Sequence, residues 1–156
     1  MSWKELFFDY FLPSFWAFAA CWGFCVLFNI HGNGIWICCF GGGLGWFVYL
    51  VMNAVTGSDM TAGFFAGIVI SLWSEIMARV RKCPVTGYLL VAFFPLVPGG
   101  GVYYAMEYAI QGEQAAFADT LMHTLGFSGV LALGVLVVSS VLRMWTAARR
   151  KRGRQG

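Results

Sequence analysis

Residues 95–109 read "PLVPGGGVYYAMEYA". Two prolines and three glycines fill five of the first seven positions, so the stretch loses two backbone donors and gains three residues that favour no helix. Tyrosines and a glutamate follow. The chain on both sides is strongly apolar, so the fold turns on whether this stretch ends a hydrophobic element or interrupts one.

Composition settles the surroundings. The 156 residues are 60% hydrophobic and only 11% charged, and the mean hydropathy is +0.73. A soluble domain carries about 25% charged residues, and a chain of this length has too little polar surface here to face water all round. The apolar residues come in long runs. These features predict an all-α integral membrane protein.

A straight span needs about 20 apolar residues. Runs of that kind cover about 12–29, 35–55, 60–78 and 125–145, separated by "HGNG" at 31–34, "TGSD" at 56–59 and "RVRK" at 79–82. Trp3, Lys4, Glu5 and Asp9 form an interfacial lead-in to the first run. The stretch from Pro84 to Gln111 is longer than a straight span requires. It reads as two half-helices, "PVTGYLLVAFF" and "VYYAMEYAIQ", broken at "PLVPGGG". The expected architecture is therefore about five transmembrane helices with the fourth broken. "GEQAAFADTLMH" at 112–123 reads as a polar amphipathic connector. Residues 1–148 form one transmembrane domain, and 149–156 a basic cytoplasmic tail.

Net charge is +3, but nine of the ten Lys and Arg fall in two clusters: Arg79, Arg81 and Lys82, then Arg143, Arg149, Arg150, Lys151, Arg152 and Arg154. Basic residues flanking apolar segments mark the cytoplasmic side and meet anionic lipid; nucleic acid is not an expected partner. Two crossings between the clusters place both inside, which puts Asp59, Glu113 and Asp119 outside and, with five crossings, the N-terminus outside too. The N-terminus lacks the basic region and small-residue site of a removed signal peptide. Cys21, Cys25, Cys38 and Cys39 sit inside apolar runs as small hydrophobes, and Cys83 completes the five cysteines. No metal site, disulfide framework or cofactor is expected.

A broken helix at membrane depth is tolerated where its backbone faces a cavity or other protein. The start of the second half-helix offers free N–H groups and a positive dipole end, which favour a carboxylate; transporters use discontinuous helices in this way. Pro95, Pro98, Gly99, Gly100, Gly101, Tyr103 and Tyr104 are the candidate substrate-binding residues. Glu107 shares a face with Tyr103 and is a candidate proton carrier or partner for a substrate ammonium; the bland alternative is a packing kink with Glu107 at the interface. Gly63, Gly67, Ser71, Glu75 and Arg79 recur at intervals of four. The first three form a close-packing ridge and the last two an acid–base pair, functional or merely anchoring. Gly41 and Gly45 form a second packing ridge. "GFSG" at 126–129 matches an intramembrane serine protease pattern, but His123 lies on the same element and His31 is expected across the membrane, so helix packing explains it better. No Walker A loop is present.

"SEIMARVRKCP" at 74–84 with "PLVPGGGVYYAM" at 95–106 resembles the threonine/serine exporter family, in particular the short subunit corresponding to the C-terminal membrane half of the fused exporters. Glu75, Ala78, Arg79, Pro84, Pro95, Leu96, Val97, Pro98 and Gly99 carry the resemblance; the tail "RRKRGRQG" has no counterpart in the pattern. The resemblance implies proton-driven export of small hydrophilic metabolites, threonine and serine or dicarboxylates such as succinate, across the inner (plasma) membrane. It also implies a larger membrane subunit as partner and a carboxylate-bearing substrate; homo-oligomerisation stays open. No enzymatic activity is expected. The alternative is a non-transporting scaffold or assembly subunit, which would gain nothing from a costly break.

Overall fold

The computed structural model describes residues 7–152, with side chains from 8 to 145. Trp3, Lys4 and Glu5 of the lead-in, and the side chains of the basic tail, lie outside the described residues. After a π-helical turn at Phe7–Phe11 come helices α1 (Leu12–Leu27), α2 (Gly34–Thr56), α3 (Asp59–Arg81), α4 (Val85–Phe93), α5 (Gly99–Gln111) and α6 (Gln114–Arg152). A 3-10 turn at Phe94–Leu96 extends α4. Among the described residues there is no strand.

The stops between helices are local. Gly57 ends α2 in the left-handed region with φ 63°, and Gly112 ends α5 at φ 80°, both conformations that cost glycine little. Lys82 ends α3 at φ 53°, and Pro84, extended, starts α4 with its fixed φ.

Four segments are long and apolar enough to cross a membrane: Phe8–Leu27, Gly34–Thr56, Asp59–Arg81 and Gln114–Trp145. Val85–Leu96 and Gly99–Gln111, bent by 52°, make a fifth when taken as one broken span. Large apolar side chains such as Trp16, Trp22, Leu27, Val55, Val80 and Leu136 face outward. That much exposed apolar surface, spread along every long helix, suits a lipid solvent. The chain is an all-α membrane protein.

Two boundaries differ from the sequence reading. The connector expected at 112–123 is the beginning of α6: only Gly112 and Glu113 interrupt the helices. After Gly112 the next glycine is Gly126, and Ala115, Ala116 and Ala118 are strong helix formers, so nothing stops the helix. The break in the fourth segment is also shorter than "PLVPGGG". Only Val97 and Pro98 lie outside helices, and Gly99–Gly101 form the first turn of α5. The first N–H groups of any helix lack intrahelical partners, so a glycine run costs less there than in a helix interior.

Packing organises around α3, which touches α2, α4 and α6. Small residues set the spacing between α3 and α6. A methyl group at Gly134 would stand 2.7 Å from the Phe64 carbonyl oxygen, and one at Gly67 3.0 Å from that of Leu131. Gly63 meets Phe127 and Gly67 meets Leu131; both numbers advance together, so α3 and α6 run parallel. Gly101 opposes Thr124, and α5 folds back along the start of α6 as a hairpin. One buried cluster joins Ala66, Ile70, Ala92, Leu96, Phe127 and Leu131. The other joins Cys21, Cys25, Cys38, Cys39, Ala78, Tyr88 and Val91.

Candidate functional site

Where α4 gives way to α5, the chain leaves a cavity of about 230 Å³ lined by Pro95, Leu96, Val97, Pro98 and Gly101 from the break, Trp46 and Tyr49 from α2, Asp59 from α3, and His123, Thr124 and Phe127 from α6. Drug-sized ligand sites run to about 300–1,000 Å³, so this one suits a small metabolite. Its floor lies near Trp46 and Leu96. Leu96 belongs to the Ile70 cluster, and Ile70 is close to the midpoint of α3 (Asp59–Arg81). Asp59 and His123 stand at the opposite end, at the first turn of α3. The cavity therefore runs from one end of the bundle towards its middle.

Its walls are aromatic. The rings of Trp46 and Tyr49 lie 5.5 Å apart, and Tyr49 meets Phe127 edge-on at 6.1 Å. Against this apolar wall stands a small polar set. Tyr49 donates its hydroxyl to Asp59 Oδ1. The other carboxylate oxygen, Oδ2, lies 3.9 Å from His123 Nε2. Trp46 has a buried indole N–H with no hydrogen-bond partner among the described residues; an unmet buried donor costs about 1–3 kcal/mol. Thr124 turns its hydroxyl back to the Thr120 carbonyl at 2.6 Å.

The first turn of α5 closes the site. Gly99 N–H turns to the Val97 carbonyl at 2.7 Å, and Val102 N–H is the first to bond in helical register, to Pro98 at 3.3 Å. That leaves Gly100 and Gly101 N–H as the donors that a helix start offers. A side chain at Gly101 would collide with Thr124 Oγ1, whereas Gly99 and Gly100 face open space.

Of the residues expected to bind substrate, Pro95, Pro98 and Gly101 line the cavity, and Gly99 and Gly100 complete the turn beside it. Tyr103 and Tyr104 point away, exposed and in ring contact with each other at 5.5 Å. Glu107 lies on a different groove with Tyr103, Met106, Ile110 and Gln111, where Gln111 Nε2 donates to its Oε1 at 3.2 Å. Glu75 and Arg79 form an ion pair at 3.4 Å near the end of α3 away from the cavity. Gly41 packs on Trp73 and Ala92, Gly45 on Ile70, and Gly63 on Phe127. Ser71 is fully buried, its hydroxyl without a partner among the described residues. Ser128 of "GFSG" donates to the Thr124 carbonyl at 2.9 Å, and His123 stands at Asp59.

Sequence reasoning missed six members of this site outside the break: Trp46, Tyr49, Asp59, His123, Thr124 and Phe127. Asp59 and His123 sit in segments read as turn and connector, and only the parallel course of α3 and α6 brings them together. It also missed that Cys21 and Cys25 meet Cys38 and Cys39 in one buried cluster. There Cys21 donates to the Val91 carbonyl at 3.4 Å and Cys25 to that of Ile35 at 3.9 Å. Among the described residues, no group of three His, Cys, Asp or Glu is placed to hold a metal ion.

Compared with known families, residues 13–141 match the family described as threonine/serine exporter, ThrE. No curated protein and no solved structure matches the chain.

Proposed function

We propose, from the premise that this chain belongs to the threonine/serine exporter family, that it is one subunit of a proton-driven secondary exporter of small hydrophilic metabolites. It works in the inner membrane with a larger membrane subunit. Both basic clusters face the cytoplasm, so the end of the bundle that carries Asp59 and His123 faces outward.

One observation carries the reading: the cavity at the helix break combines anion-seeking donors with one carboxylate. Gly100 and Gly101 N–H, at the positive end of α5, favour a substrate carboxylate, and charge-assisted hydrogen bonds of that kind are about twice as strong as neutral ones. Trp46 adds its ring to the wall of the same cavity. Asp59 favours a cation. A zwitterionic amino acid answers both ends, with its carboxylate at the α5 turn and its ammonium at Asp59. A dicarboxylate such as succinate would set like charges against each other at Asp59, so the arrangement favours threonine and serine.

The test is efflux. Cells loaded with labelled threonine, serine or succinate, with and without this chain and its larger partner subunit, are followed for release into the medium. Faster release of the two amino acids in cells that carry the chain is expected. Equal release of all three in both strains overturns the proposal, and selective release of succinate overturns the zwitterion assignment alone.

A further inference from the structure

Asp59 sits where three elements converge. Tyr49 from α2 holds Oδ1, which turns Oδ2 towards His123 on α6. The 3.9 Å separation is beyond a charge-assisted hydrogen bond, whose heavy atoms lie about 2.7–2.9 Å apart. The side chains of His123 and Asp59 are 57% and 38% exposed, so protons reach the pair from the water at that end of the bundle. Histidine is the side chain that changes charge across physiological pH.

We propose that Asp59 and His123 are the proton-coupling pair of this exporter: protonated His123 takes the Asp59 carboxylate that otherwise receives the substrate ammonium. Proton and substrate thus exclude each other at one carboxylate. This rests on the transport reading given above and assigns its coupling step to two residues.

The sequence of events balances. Substrate arrives from the cytoplasmic side with His123 neutral, its ammonium on Asp59. A proton from the external water binds His123 Nε2, the imidazolium closes on Oδ2, and the ammonium is released outward. His123 then gives the proton to the cytoplasmic water when the cavity opens inward. One proton enters for each zwitterion that leaves, so each cycle moves one positive charge inward.

No other charged group blurs the assignment at the cavity. Tyr49 is the titratable group that α2 adds to the lining, and Asp59 and His123 are those of α3 and α6; α5 and the break add none. Asp119 lies one turn before His123 on α6 and outside the lining. Glu107 lies on another groove.

The experiment uses inside-out membrane vesicles from cells expressing the chain together with its larger partner subunit, with labelled serine as the probe. Two rates are read: accumulation driven by an acidic lumen, and exchange of labelled for unlabelled serine without a gradient, between about pH 5 and 8. In wild-type vesicles, accumulation follows the gradient and exchange slows towards acid pH. With a lumen one pH unit more acidic, His123→Gln should flatten the pH profile of exchange and lower the steady-state accumulation ratio of serine by about tenfold, the amount one coupled proton supplies per pH unit. His123→Arg, a fixed cation, should abolish exchange at every pH, and Asp59→Asn should abolish both rates.

Retention of the wild-type pH profile and accumulation ratio in His123→Gln overturns the proposal, including when the variant is merely less stable, as for a structural staple between α3 and α6. Exchange by His123→Arg overturns it independently of how His123→Gln folds. A flat profile in Glu107→Gln with a normal one in His123→Gln also overturns it and moves coupling to the outer hairpin. If wild-type vesicles neither accumulate nor exchange serine, the transport reading itself fails.

Discussion

Gly134 is the most exacting test of the bundle. Its missing Cβ lets α6 lie against the α3 backbone; a methyl there would stand 2.7 Å from the Phe64 carbonyl oxygen and 3.1 Å from the Ile68 nitrogen. Ordinary contact begins at 3.4 Å, so Gly134→Ala must open the crossing by roughly 0.7 Å, since no flexible side chain can give way. A radial gap of about 0.5–1 Å forfeits a quarter to a half of each dispersion contact, and overpacking of this kind costs about 1–3 kcal/mol. Alanine recovers about 0.5–1 kcal/mol over glycine as a helix residue, which leaves a net loss of about 0.5–2 kcal/mol. For a chain of this size, 1 kcal/mol moves Tm by about 2–4 °C, so a fall of about 1–8 °C is expected. The control lies on the same helix. At Gly129 a Cβ would meet nothing within 4 Å, so Gly129→Ala should raise Tm by about 1–4 °C. Thermal unfolding of the purified protein in detergent, followed by the fluorescence of its seven tryptophans, reads both. A Gly134→Ala protein as stable as Gly129→Ala would refute the close backbone contact between α3 and α6.

Three further outcomes follow from the same geometry. Gly101→Val, colliding with Thr124 and filling the cavity, should cut efflux by about tenfold or more, an overpacking cost of about 1.4 kcal/mol on the loaded state; normal efflux at normal protein level would detach the cavity from transport. A membrane-impermeant reporter should register a tag after Gly156 as cytoplasmic and one at Gly112 as external, and the reverse result would invert the orientation. A maleimide should label only Cys83 in the folded protein, because Cys21, Cys25, Cys38 and Cys39 are fully buried; early labelling of any of the four would contradict the packing of α1 on α2.

The helices were legible because lipid simplifies the code: apolar runs bounded by "HGNG", "TGSD" and "RVRK" leave few alternatives. The break was legible because Pro98 lacks a donor. What it looks onto was not. The cavity is assembled from side chains far apart in sequence, and their meeting depends on which helices run parallel. Gly63, Gly67 and Ser71 advertise a packing ridge by their spacing. Gly134, which completes the contact, has Val130 and Val138 four residues to either side and looks like an isolated helix glycine. Glu107 drew attention because a carboxylate among apolar residues stands out. Asp59 did not, because an aspartate after "TGS" reads as an ordinary helix start.

Helix α6 has 39 residues, about 58 Å at 1.5 Å per residue, nearly twice the roughly 30 Å hydrocarbon thickness. Its tightest backbone approach to α3 is at Gly134, the point about which a tilt of the rod would turn. His123 lies about 16 Å to one side of that point and Arg149 about 22 Å to the other. A tilt of about 5° therefore swings His123 by roughly 1.4 Å, and the arm that carries the basic tail by roughly 2 Å in the opposite sense. Any force that draws His123 onto Asp59 is felt as sideways travel at the far end of the same rod.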